Sequence, residues 1–199
     1  MRQFLVSMVG SVCAFLAGTC LLPAAEVPDT ASSSAPALAA VGDRVVVAWA
    51  GEHGVNAHQV WYSTFENGVF TPQTSIPGAL TTSAPALASA GQTLYLATTP
   101  PGVEDQIYIY AASGVDFAAD STPLCDGDVC AHTRAAPALK ADGSTLYAAW
   151  TTPAGQIRYA TRTEGEWKIA TLPIPGAQTS PTTGPTLAVF EHQLYVAWV

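Results

Sequence analysis

Ala136-Pro137-Ala138-Leu139-Lys140-Ala141-Asp142-Gly143-Ser144-Thr145-Leu146-Tyr147-Ala148-Ala149-Trp150 holds the pattern that decides the fold: a small-residue Pro phrase, a Gly turn, then an apolar strand. The phrase also occurs as Ala35-Pro36-Ala37-Leu38, Ala84-Pro85-Ala86-Leu87 and Gly184-Pro185-Thr186-Leu187, so its four copies stand 49, 52 and 48 residues apart. The strands that follow the other three are Val45–Trp49, Leu94–Thr98 and Leu194–Trp198. Self-similarity at about 50 residues with short strands predicts an all-β propeller built from four-stranded antiparallel blades.

The repeat extends past the second strand. A third strand is aligned on Gln and a β-branched residue: Gln59-Val60-Trp61-Tyr62, Gln106-Ile107-Tyr108-Ile109 and Gln156-Ile157-Arg158-Tyr159. Ten residues after each β-branched residue stands Phe70, Phe117 or Trp167, with Gly68, Gly114 or Gly165 in the turn before it. Two copies close on Ile76-Pro77-Gly78-Ala79 and Ile174-Pro175-Gly176-Ala177, a phrase suited to an outer sheet edge. The boundaries that follow are blade 1 at 35–84, blade 2 at 85–136, blade 3 at 137–184 and the first half of blade 4 at 185–199, with the Pro phrase innermost. Three and a half blades fall short of the four to eight that close a ring. The chain is therefore expected either to self-associate or to be a piece of a longer propeller.

The N-terminus has a different character. Arg2 precedes a short apolar run, and Leu21-Leu22-Pro23-Ala24-Ala25 offers small residues for cleavage, so 1–25 reads as a signal peptide and 26–34 as a linker. Thr19 before Cys20 argues against lipidation. Export leaves Cys125 and Cys130, which read as a disulfide across Asp126-Gly127-Asp128-Val129 and imply a secreted, periplasmic or cell-surface protein. The formal net charge is −8 and there is no basic stretch. That disfavours nucleic acid and anionic membrane surfaces as partners, and nothing marks a membrane insertion after signal removal.

From Ser34 to Val199 the repeat resembles that of secreted sialidase-like and lectin-like propellers of bacteria. The turns before the outer strand, such as Thr161-Arg162-Thr163-Glu164-Gly165-Glu166-Trp167, look like a decayed Asp-box that keeps the Gly and the aromatic and has lost the Asp. The resemblance implies a lectin, an enzyme-appended module or, least, a hydrolase. Sialidases of this kind grip a carboxylate with three arginines, whereas Arg44, Arg134, Arg158 and Arg162 occupy different repeat positions. His53, His58, His132 and His192 fall in turns, and no Gly-x-Ser-x-Gly elbow is present. No catalytic residue, cofactor or metal is expected. Asp120, Asp126 and Asp128 lack a calcium-loop pattern and read as a solvated acidic turn.

Two kinds of residue are left for recognition. Sugar rings pack their C–H faces on aromatics, which puts forward Trp61, Tyr62 and Tyr108, with Arg158 at the same repeat position as Trp61 and Tyr108. Trp49 and Trp150 are expected instead in the core, since strand alternation places them on a blade face that stacks on a neighbour. The turns between second and third strands vary while their flanks repeat, which adds Asn56, His58 and Asp105. The expectation is a secreted non-catalytic module that binds carbohydrate, with a protein-interaction scaffold as the alternative.

Overall fold

A computed structural model describes residues 5–7, 24–27, 30–52, 57–171 and 173–199. It is a β-propeller arc without α-helix among these residues. A short pair joins β1 (Leu5–Ser7) to β2 (Ala24–Glu26); most of the expected signal segment lies outside the described residues.

Each blade is a meander running outward. Blade 1 orders β3 (Ala37–Val41), β4 (Arg44–Ala50) and β5 (Gln59–Glu66), with an outer strand in two pieces, β6 (Val69–Phe70) and β7 (Thr74–Leu80), both on β5. Blade 2 orders β8 (Ala86–Ala90), β9 (Thr93–Thr98), β10 (Tyr108–Ser113) and β11 (Asp116–Pro123), followed by a hairpin of β12 (Cys125–Asp126) and β13 (Val129–Cys130). Blade 3 orders β14 (Ala138–Asp142), β15 (Thr145–Thr151), β16 (Ile157–Thr163) and β17 (Glu166–Ile169). Then β18 (Thr186–Phe190) pairs with β19 (Gln193–Ala197), which stops short of Trp198. The inner position of the Pro phrase has a physical reading: Leu38, Leu87, Leu139 and Leu187 jointly line a central cavity of about 390 Å³. Gly184 replaces the usual Ala before Pro because a Cβ there would collide with the Ala136 carbonyl.

Alternation sorts each second strand between two interfaces. Leu94 and Leu96 of blade 2 join Val46 and Ala48 of blade 1 in one core; Leu146, Ala148 and Trp150 of blade 3 join Ala97 of blade 2 in the next. The odd positions thus face the preceding blade and the even positions the following one. Trp49 and Trp150 are 1% and 2% exposed, as the packing argument requires. Trp49 and Val47 have no preceding blade within the described residues and are covered by Val27, with Trp61 and Phe70 against them. The segment read as a linker is therefore partly docked on blade 1.

Between the blades runs a backbone rivet that the sequence reading did not anticipate. The residue before each repeated Gln has a positive φ: His58 at 69°, Asp105 at 64° and Gly155 at 80°. Its carbonyl accepts the N–H of Thr81, Thr133 or Thr179, at 2.8, 2.7 and 2.9 Å, at the start of the connection to the next blade. Four residues before Pro36, Pro85 and Pro137 stand Ser32, Thr81 and Thr133, each turning its hydroxyl onto the backbone two residues on. In blade 1 the repeated Gln serves the outer edge: Gln59 Nε2 donates to the carbonyls of Ile76 and Ala79 at 2.8 and 3.0 Å.

Candidate functional site

The disulfide hairpin builds one wall of a groove between blades 2 and 3. In blade 3 the third-strand residue Ile157 accepts from Ile174 N–H and donates to the Ala177 carbonyl; in blade 2 Ile107 makes the same pair of bonds with Leu124 and Ala131. The six residues Cys125–Cys130 thus stand where Pro-Gly stands in Ile174-Pro175-Gly176-Ala177. The repeat hides this insertion, and the buried Leu124 and Ala131 flanking the cysteines are the signal that marks it. Cys125 and Cys130 are disulfide-bonded across the hairpin. Asp126 reaches from it to blade 3, where Lys168 Nζ and the Ile169 N–H both donate to its carboxylate at 3.2 Å.

The space enclosed between blades 2 and 3 is about 490 Å³, and its walls include Thr122, Pro123, Asp126, Arg162, Trp167 and Lys168. Arg162 and Trp167 are directly opposed across β16 and β17, so they share the face toward blade 2. Arg162 crosses to blade 2, donating to Tyr95 Oη at 2.8 Å with its guanidinium carbon 5.1 Å from that ring's centroid. Trp167, 7% exposed, is rooted in the core between the blades while lining the groove.

A second groove, about 350 Å³, lies between blades 1 and 2 and is lined by Arg44, Tyr62, Thr64, Glu66, Thr71 and Val115 among others. Here the arginine is neutralised: Glu66 Oε2 lies 3.2 Å from Arg44 Nε as an ion pair, and Arg44 Nη2 donates to Glu66 Oε1 at 3.4 Å. Tyr62 packs edge-on against Phe117 of blade 2, ring centroids 5.6 Å apart. Burial first, and the Asp116 charge second, push its phenol above the ordinary value.

The other residues proposed from sequence are dispersed. Trp61, Tyr108 and Arg158 stand opposite Trp49, Thr98 and Trp150, hence on the faces toward a preceding blade, half-buried. Trp61 and Tyr108 pack against core clusters there. His58 and Asp105 occupy the positive-φ rivet position; the His58 ring lies 3.1 Å from the Thr81 carbonyl, and Asp105 pairs with Arg134 at 2.8 Å. Asn56 and His53 lie outside the described residues. Of the proposed residues that are described, Tyr62 lines one of these two grooves. Arg44, Arg162 and Trp167 were not singled out for recognition, because a groove needs two blades and a single repeat shows one. Among the described residues no three His, Cys, Asp or Glu side chains are grouped to hold a metal.

No family model matches the chain, and no curated protein does. Solved structures do, with low identity and a shared fold. A lectin from Aleuria aurantia in complex with α-methyl-L-fucoside is 14% identical, with a TM-score of 0.55 over 83% of this chain and 56% of the lectin. Xyloglucan PUL GH43B from Bacteroides ovatus is 12% identical, with a TM-score of 0.54 over 83% of this chain and 35% of that one. A Trypanosoma rangeli sialidase in complex with sialic acid is 9% identical, with a TM-score of 0.52 over 89% of this chain and 35% of the sialidase. The chain thus spans about half the length of the lectin and about a third of the two longer chains. The shared feature is the β-propeller fold.

Proposed function

We propose that the protein is a secreted, non-catalytic propeller module that binds carbohydrate in its interblade grooves. One observation carries this reading: each groove combines an arginine and an aromatic side chain in a cavity of roughly monosaccharide to disaccharide scale. Sugar hydroxyls take hydrogen bonds from guanidinium while a ring face lies on the aromatic. The lectin seen with a fucoside supports the ligand class. The reading of non-catalytic action rests on two of the three carboxylates lining these grooves, Glu66 being held by Arg44 and Asp126 by Lys168 and a backbone N–H. The Cys125–Cys130 bond supports an oxidising compartment. Among the described residues no helix is long and apolar enough to cross a membrane.

A glycan array probed with the purified protein, paired with fluorogenic glycosides, tests the reading. Binding without release of the fluorophore is expected; a blank array overturns recognition and measurable release overturns the non-catalytic part.

A second reading, assembly with copies of itself, is favoured by one face. Tyr195 and Ala197 occupy the positions of Tyr147 and Ala149, which face the following blade, yet Tyr195 is 49% and nearby Phe190 64% exposed. The native particle mass tests it: a monomer at high concentration removes this reading and leaves the first intact.

A further inference from the structure

The two grooves differ in how their arginines are paired, and the difference names a ligand. In the groove between blades 1 and 2, Glu66 cancels Arg44. In the groove between blades 2 and 3, Arg162 has no carboxylate within ion-pair distance among the described residues. The nearby carboxylates are accounted for. Asp126 is taken by Lys168 and the Ile169 N–H. Glu166 also lines the groove, opposite Thr163, and makes no ion pair with Arg162. Tyr95 occupies one guanidinium nitrogen as a neutral acceptor and fixes the group without discharging it.

What remains is an oriented guanidinium with no ion-pair partner among the described residues, beside the small exposed part of Trp167, in a chain whose formal net charge is −8. A guanidinium fork matches a carboxylate in two parallel hydrogen bonds, and the flanking ring suits an apolar sugar face. The geometry points to an acidic saccharide, a uronic acid residue, as the ligand of the groove between blades 2 and 3. This rests on the carbohydrate-binding reading above and narrows it: Arg162 takes the carboxylate, Trp167 lies against the ring, and Tyr95 positions Arg162.

Calorimetric titration of the whole protein with methyl β-D-glucuronide, methyl β-D-glucoside and acetate separates the possibilities. The glucuronide is expected to bind at least about tenfold tighter than either other probe, the yield of one charge-assisted pair. The preference is expected to shrink as salt is raised, to vanish in Arg162→Gln, and to survive Lys140→Gln, which removes an equal charge in the central cavity. Arg162→Lys keeps the charge without the fork and should lie between. Equal binding of glucuronide and glucoside overturns the acidic-ligand inference while sparing the carbohydrate reading. Acetate as tight as glucuronide overturns the saccharide part. Silence toward all three, together with a blank glycan array, overturns both. The comparison of probes on the unaltered protein does not depend on any variant folding.

Discussion

Thr98 and Thr99 are adjacent, both buried and both threonine, and the structure gives their hydroxyls opposite standing. Thr98 takes the repeat position held by Trp49 and Trp150, and its Oγ1 is enclosed with no hydrogen-bond partner among the described residues. Thr99 Oγ1 sits among hydroxyls, 2.8 Å from Ser83 Oγ and 3.3 Å from those of Thr81 and Thr82. A buried polar group without a partner costs about 1–3 kcal/mol, and an apolar replacement of the same shape recovers it. Thr98→Val should therefore stabilise the protein by about 1–2 kcal/mol, or roughly 2–8 °C in Tm for a chain of this size. Thr99→Val should destabilise by about 0.5–1.5 kcal/mol, since it removes hydrogen bonds from a hydroxyl cluster whose other members keep backbone partners. Both changes keep a β-branched side chain, so strand preference stays constant. Urea denaturation of the three proteins with a common slope measures the effect. If Thr98→Val melts below the parent, the hydroxyl has a partner and the reasoning fails.

Trp150→Ala removes a side chain sealed between blades 2 and 3 and should cost about 3–5 kcal/mol in the same assay; a loss under about 1 kcal/mol would show that the blade interface is not tightly packed there. Gly155→Ala places a Cβ 2.5 Å from the Thr179 carbonyl at φ 80°, and should cost about 3 kcal/mol or more, read as a fall in Tm, whereas His58→Gly at the equivalent position should be close to neutral. Tyr62 holds its proton more tightly folded than unfolded, so its contribution is intact below pH 10 and lost as pH rises through the raised value. Tyr62→Phe should be within about 0.5 kcal/mol of the parent at neutral pH and lose less stability in alkali; parallel alkaline curves would contradict this.

The blades were legible because their signal is local and repeated. Pro36, Pro85, Pro137 and Pro185 mark the innermost strands, and alternation alone placed Trp49 and Trp150 in the interfaces. The grooves were not legible, since Arg162 meets Tyr95 across a separation of 67 residues and nothing in either repeat announces the other. The positive-φ site escaped notice for another reason: His58, Asp105 and Gly155 share a backbone conformation and no side-chain chemistry. His58 and Asp105 drew attention as variable polar residues, though the repeated use of those positions lies in their carbonyls.

That carbonyl rivet also bears on engineering. Because the link from each second-to-third-strand turn to the next blade is made by backbone atoms of the residue before Gln59, Gln106 and Gln156, the turn upstream of it carries little of the joint. Foreign loops grafted at 100–103 or 152–154, ending on Gly or Asn before the Gln, would sit on a frame that already fixes both their ends, turning the arc into a display scaffold with several independently exchangeable ports.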